Sequence, residues 1–120
     1  MDGPRGGAAG GLEISVDQPS EGVVVVAPSG ELDMSNGDIL GEAIEQARQD
    51  GAANLIIDLR ALSFMDSSGL RILLDAWNES KLADRRLSIV VAKTGLVRRV
   101  LEVSGCDVVL PIVADLDEAL

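Results

Sequence analysis

At 120 residues with 47% apolar content, the chain has the size and hydrophobicity of one folded domain and no room for a second. Twenty acidic against ten basic residues give a formal charge of −10, which argues against nucleic acid as a partner because phosphate backbones demand clustered Lys and Arg. A single cysteine excludes an intrachain disulfide, and no apolar run approaches the ~20 residues of a membrane helix, so a cytoplasmic protein is expected.

Residues 1–11 contain five glycines and no apolar core, so they read as a disordered tail rather than a signal peptide, and the domain is expected over residues 12–120. Leu12 to Val16 alternates apolar and polar residues, the pattern of a half-buried strand. After a turn around Pro19 and Gly22, Val23 to Ala27 is a continuous apolar run suited to a strand buried on both faces, paired antiparallel with the first. Pro28 to Asp33 forms a loop. Ser35 then caps a helix whose stripe is Ile39, Leu40, Ala43, Ile44 and Ala47, ended by Gly51.

Leu55 to Leu59 is the next strand, and a loop over residues 63–68 leads into a helix from Ser67 to Leu82. That helix places Leu70, Leu73, Leu74 and Trp77 on its core face and turns Ile72 and Ala76 away. Leu87 to Ala92 is a strand, and Thr94 caps a helix carrying Val97, Val100 and Leu101 that Gly105 closes. Val108 to Leu110 reads as a short last strand, followed by a terminal helix capped by Asp115.

Strands alternating with helices in this way require right-handed crossovers onto a mostly parallel sheet, in an α/β fold with about four helices. Loops leaving the carboxyl ends of such strands gather along one edge. If the second and third strands are neighbours, Glu31, Asp33, Asp66 and Ser67 share a rim there. Charge is also unevenly spread: residues 81–99 are net +5 and the remainder −15.

The chain has no histidine, which removes the commonest general base, any Ser-His-Asp triad and, with one cysteine, the usual zinc sites. The G-x-x-x-x-G-K-[ST] phosphate loop and the G-x-S-x-G nucleophile elbow are missing as well. No catalytic residue, cofactor or metal ligand is therefore assigned. Ser67 instead opens a helix, where unpaired backbone N–H groups and the positive end of the helix dipole meet. Such a serine can cap the helix, hold an anion or accept a phosphate. With nothing to make it a nucleophile, the favoured reading is that another protein modifies it.

Three segments together, Gly30-Glu31-Leu32-Asp33, Leu62 to Leu70 and Val97 to Gly105, closely resemble the anti-sigma factor antagonists, the single-domain members of the STAS family. The resemblance runs from about Leu12 to the C-terminus. It implies a STAS-like mixed sheet with helices packed against it, and a bacterial partner-switching role. In that role the unmodified protein binds an ATP-dependent anti-sigma factor of the histidine-kinase-like ATPase class and so frees a sigma factor. The kinase activity of that partner phosphorylates Ser67 and the complex dissociates; a metal-dependent serine phosphatase reverses the change. Partner contacts are then expected from Glu31, Asp33, Ser35, Asn36, Asp66, Ser68, Gly69, Leu70 and Arg71. The alternative is a STAS scaffold or interaction subunit, in a stress-signalling complex or transport machinery, without a sigma-factor role.

Overall fold

The computed structural model describes residues 6–120. Its strands are β1 (Gly6–Ala9), β2 (Leu12–Ser20), β3 (Val23–Leu32), β4 (Asn54–Asp58), β5 (Leu62–Met65), β6 (Arg86–Val90) and β7 (Ile112–Val113). Its helices are α1 (Gly37–Gln49), α2 (Ser67–Leu82), α3 (Leu96–Ser104) and α4 (Leu116–Ala119), with a 3-10 turn over Cys106–Val108. The sheet order is β1-β2-β3-β4-β6-β7, antiparallel across the first three strands and parallel thereafter.

The apolar runs of the central strands are buried on both faces, as their composition requires. Val24, Val26, Leu55, Ile57, Leu87 and Ile89 point to one side, where α1, α2 and α3 supply Leu40, Ile44, Leu73, Val97 and Leu101. Val25, Ile56 and Val90 point to the other, under Ala119 of α4. Asn54 ties that short helix down by donating from Nδ2 to the Ala119 carbonyl at 3.2 Å.

Several elements depart from the sequence expectation. Residues 6–9, expected in a disordered tail, form β1; the rest of that segment before residue 6 lies outside the described residues. The physical reason is the pair Gly10-Gly11, at φ +48° and +86°, which makes the tight two-residue turn that a hairpin needs. The backbone then pairs with β2, Gly6 opposite Ser15 and Ala9 opposite Leu12.

The loop expected over residues 63–68 contains β5. Beyond β4, the chain turns at Arg60-Ala61, with the Arg60 guanidinium bound to the Asp58 carboxylate at 2.8 Å and Leu62 N donating to the Leu59 carbonyl. It then rejoins β3 further along: Val26 faces Ile57 of β4, whereas Leu32 faces Met65 of β5. One long strand thus pairs with two short ones in succession.

The last strand is displaced. Gly105 at φ +79° ends α3 and the chain tightens into the 3-10 turn, so Val108 and Val109 are exposed and the return to the sheet waits until Ile112 pairs with Ile89. Gly95, not Thr94, stands at the N-cap of α3. On α2 the buried residues are Gly69, Leu73, Ala76 and Ser80, because α1 packs against the flank that carries Ala76 and Ile72; Leu74 and Trp77 are only half-buried.

Candidate functional site

Because β3, β4, β5 and β6 are all parallel, the chain leaves each of them at the same sheet edge. α1, α2 and α3 all begin from there. Glu31 sits beside Phe64 and Leu32 beside Met65 in the β3–β5 register, and the Asp66 N–H donates to the Leu32 carbonyl at 3.2 Å. Glu31, Asp33, Asp66 and Ser67 are therefore on one rim.

The first half of the rim is the β3–α1 loop. The Asp33 carboxylate accepts from the Ser35 N–H at 2.9 Å and from the Ser35 hydroxyl, folding the loop back on itself. The Asp33 carbonyl accepts from the N–H groups of Asn36 and Gly37 at the start of α1. Ser35, expected to cap α1, thus caps nothing. Asn36 occupies that position but turns inward and is only 2% exposed. Its Oδ1 accepts from Asp33 N at 3.0 Å, and its Nδ2 donates to the carbonyls of Gly10 (3.1 Å) and Glu31 (2.9 Å). Asn36, expected among the surface contacts, acts on the rim from beneath by bridging the β1–β2 turn to the loop.

That turn presses closely on β3. Glu31 N donates to the Gly11 carbonyl at 3.1 Å, and a Cβ at Gly30 would lie 2.1 Å from the same oxygen. Gly30, at φ +99°, is required both by its conformation and by this approach.

The second half is the start of α2. Asp66 is its N-cap: the carboxylate accepts from Ser68 N at 2.9 Å and from the Ser68 hydroxyl. The Ser68 hydroxyl chiefly, with the backbone N–H groups of Ser68, Met34 and Gly69, holds the Asp66 carboxyl below its ordinary 3.8, against a smaller upward push from burial. Met34 thus influences the Asp66 carboxyl from the other half of the rim.

The adjacent serines differ. Ser68 is partly buried and bound to Asp66, while Ser67 is exposed and its hydroxyl bonds to no other described residue. Gly69 is buried, and a Cβ there would meet Met65 Cγ at 2.4 Å and Leu32 Cδ2 at 2.9 Å. Like Asn36, it sets the position of the rim rather than presenting a surface. Leu70 packs half-buried against the core, and Arg71, one turn beyond Ser67, is exposed.

Two apolar residues that the sequence reading passed over also stand on this edge. Met34 is 86% exposed at the tip of the β3–α1 loop, and Phe64 is 38% exposed beside Glu31. The available signal was an apolar residue set between the loop-forming Asp33 and Ser35, and a second just before the Asp66 cap. Among the described residues no three acids or thiols converge where they could hold a metal ion. The arrangement presents one free hydroxyl on a rigid, acid-bordered edge with exposed apolar side chains.

The STAS domain family model matches residues 16–119. Among curated proteins, the chain is similar to the anti-sigma-F factor antagonist RsfB of Mycobacterium tuberculosis, 34% identical over 99 residues covering 82% of this chain and 80% of that one. Among solved structures, it is similar to an anti-sigma factor antagonist from Mycobacterium paratuberculosis, with a TM-score of 0.80, 32% identity and 90% of each chain covered. It is also similar to the anti-sigma factor antagonist SpoIIAA in its unphosphorylated form, with a TM-score of 0.72, 26% identity, 88% of this chain and 90% of that chain covered.

Proposed function

The chain belongs to the STAS domain family, and from that premise we propose that it is an anti-sigma factor antagonist switched by phosphorylation of Ser67. In the unmodified state the rim built from Glu31, Asp33, Ser35, Asp66, Ser68, Leu70 and Arg71 docks an anti-sigma factor, and a sigma factor is released. The partner is an ATP-dependent serine kinase of the histidine-kinase-like ATPase class. It transfers a phosphoryl group to the Ser67 hydroxyl, and a metal-dependent serine phosphatase removes it. All of this takes place in the cytoplasm. ATP, magnesium and the catalytic base belong to the kinase, so the chain itself is a substrate and a binding module.

The observation that carries this reading is the contrast between the two serines. The Ser68 hydroxyl is engaged by the Asp66 cap, whereas Ser67 is exposed, free of hydrogen bonds to other described residues, and held at a helix N-terminus that tolerates added negative charge. The antagonist names of the relatives and structural neighbours favour it over a scaffold or transport subunit.

The test is incubation of the full chain with its cognate anti-sigma factor, ATP and magnesium, followed by phosphosite mass spectrometry and a pull-down. One phosphate on Ser67, loss of the complex on its transfer, and a Ser67→Ala variant that stays bound are expected. A stable complex indifferent to ATP, or modification elsewhere with Ser67 untouched, would refute the proposal.

A further inference from the structure

The same sheet edge has a second, oppositely charged part. α3 starts from the loop that follows β6, so its N-terminal end faces the edge that carries the rim. α3 also packs beside β5, the short strand that leads into Ser67 and that, among the described residues, pairs with β3 alone. β5 is therefore bordered by the acidic β3–α1 side on one flank and by α3 on the other.

The surface of α3 there is basic and open. Lys93, Arg98 and Arg99, against one acid, Glu102, line a shallow concavity of about 710 Å³ together with the apolar Leu96 and Val103. Lys93 and Arg99 are exposed and form no ion pair with another described residue. Arg98 is held in place, its Nε donating to the Ala92 carbonyl at 3.1 Å, which fixes the guanidinium before any partner arrives. Leu96 is 47% and Val103 82% exposed, so the basic groups surround apolar side chains that this chain leaves uncovered. In a molecule of net charge −10 these cations are a local exception, suited to an acidic group on whatever covers Leu96 and Val103.

Interface size joins the two parts. A standard docking site occupies about 800 Å² on each partner, a patch roughly 30 Å across. The molecule measures 37 × 30 × 24 Å, so a site of that size centred on Ser67 covers most of the edge and reaches α3 as well as the β3–α1 loop.

We propose that Lys93, Arg98 and Arg99 form the second contact of the docking surface, receiving an acidic patch on the same anti-sigma factor whose basic groups meet Glu31 and Asp33. The inference rests on the reading of Ser67 as the docking centre. A partner with this bipolar face is recognised in one orientation, because turning it around the docking axis brings like charges together.

The experiment measures binding of the cognate anti-sigma factor to the full chain by titration calorimetry and stopped-flow at low and high salt. The variants are Lys93→Glu with Arg99→Glu, the milder Lys93→Gln with Arg99→Gln, Asp33→Ala, and Arg86→Glu. Arg86 is exposed at the first residue of β6, on the opposite edge, and controls for net charge. Val97 and Leu101, which anchor α3 in the core, stay intact, and thermal melting verifies the fold. The double charge reversal is expected to weaken binding about tenfold or more, mainly through the association rate and less so at high salt, with the glutamine pair intermediate and Arg86→Glu within twofold of the parent. Affinity unchanged in both double variants, with Asp33→Ala still weakened, overturns the second contact and leaves the rim standing. Affinity unchanged in Asp33→Ala as well removes both. A loss in Arg86→Glu that, per reversed charge, equals that of the double reversal reduces the effect to net charge and likewise overturns the proposal.

Discussion

Ser67 and Ser68 are one residue apart and have opposite environments, which makes their variants separable. Ser67→Ala removes a hydroxyl that bonds to no other described residue, so stability should stay within about 0.5 kcal/mol of the parent. Unfolding of that variant would show the serine to be structural. Ser68→Ala removes the chief cause of the lowered Asp66 pKa, so the Asp66 carboxyl should titrate closer to 3.8 in that variant than in the parent, read by carbon NMR. The sign follows from linkage. A carboxyl whose folded pKa lies below its unfolded value contributes stability that is present above the unfolded pKa and is lost as pH falls through the folded one. The Asp66 cap should thus be complete at neutral pH and fail only in acid below the ordinary carboxylate range. Asn36 gives the sharpest contrast with the sequence reading. Its removal in Asn36→Ala leaves Asp33 N and the carbonyls of Gly10 and Glu31 without their partner, and should cost about 1–3 kcal/mol in urea denaturation. Asn36→Asp should cost more at neutral pH and recover in acid, because a carboxylate oxygen would face two carbonyls until it is protonated. No difference between the two variants at either pH would refute the inward role. Nothing in the sequence distinguishes an asparagine that caps a helix from one that turns beneath it; the distinction depends on a turn 26 residues away.

At the scale of elements, what was legible followed from local pattern and what was hidden depended on distant packing. The buried run of β3, the start of α2 at Asp66-Ser67 and the shared edge all rest on period, capping residues and parallel topology, which the chain carries locally. The buried flank of α2 does not. Its period puts Leu70, Leu73, Leu74 and Trp77 on the core face and turns Ala76 away, whereas the approach of α1 buries Gly69, Leu73, Ala76 and Ser80. Close contact there is enforced by Gly37, where a Cβ would lie 3.0 Å from Ile72 Cδ1. Leu73→Ala should accordingly cost roughly 2–5 kcal/mol, and Leu74→Ala, half-buried, distinctly less. Gly69→Ala sets two effects against each other. Helix propensity favours alanine by ~1 kcal/mol, while forcing a methyl into the Met65–Leu32 contact typically costs 1–3 kcal/mol. The second should win or draw even, and any net gain in chemical denaturation would mean that Met65 swings aside. Both β5 and the Gly10-Gly11 hairpin escaped the sequence reading for a common reason. Short strands and glycine turns carry little hydrophobic period, and they form because β3 and β2 offer them unpaired backbone.

For the molecule as a whole, the question is whether phosphate on Ser67 changes the fold or only the surface. A phosphoserine adds about −1.5 to −2 charges near neutral pH. The N-terminus of α2 favours it by typically 0.3–1 kcal/mol, and Arg71, at i+4 and exposed, lies within reach to pair with it. The Asp66 carboxylate, Asp33 and Glu31 on the same rim oppose it, so attraction and repulsion are of similar size. The architecture beneath resists any balance that remains. Asp66 is anchored to Ser68 and to the Leu32 carbonyl, Asp33 to Ser35 and Asn36, and the two loops leave the sheet next to Leu32 and Met65, both buried in the core. A disturbance of about 1 kcal/mol cannot repack such a core, where single large-to-small substitutions already cost more. In the proposed complex the partner meets the difference instead: a bulky dianion would stand where a neutral hydroxyl touched it, beside the exposed Met34 and Phe64. Burying that charge without a counterion is prohibitive, so the complex should dissociate while the free domain stays as it was. Ser67→Asp, with one charge, less bulk and fewer acceptor oxygens, should weaken binding less than the phosphate does. Amide NMR spectra of the two forms decide the matter. Shifts confined to residues 30–36 and 63–72 are expected, whereas shifts spread through the sheet and into α3 would refute a local switch and require a second conformation of the domain.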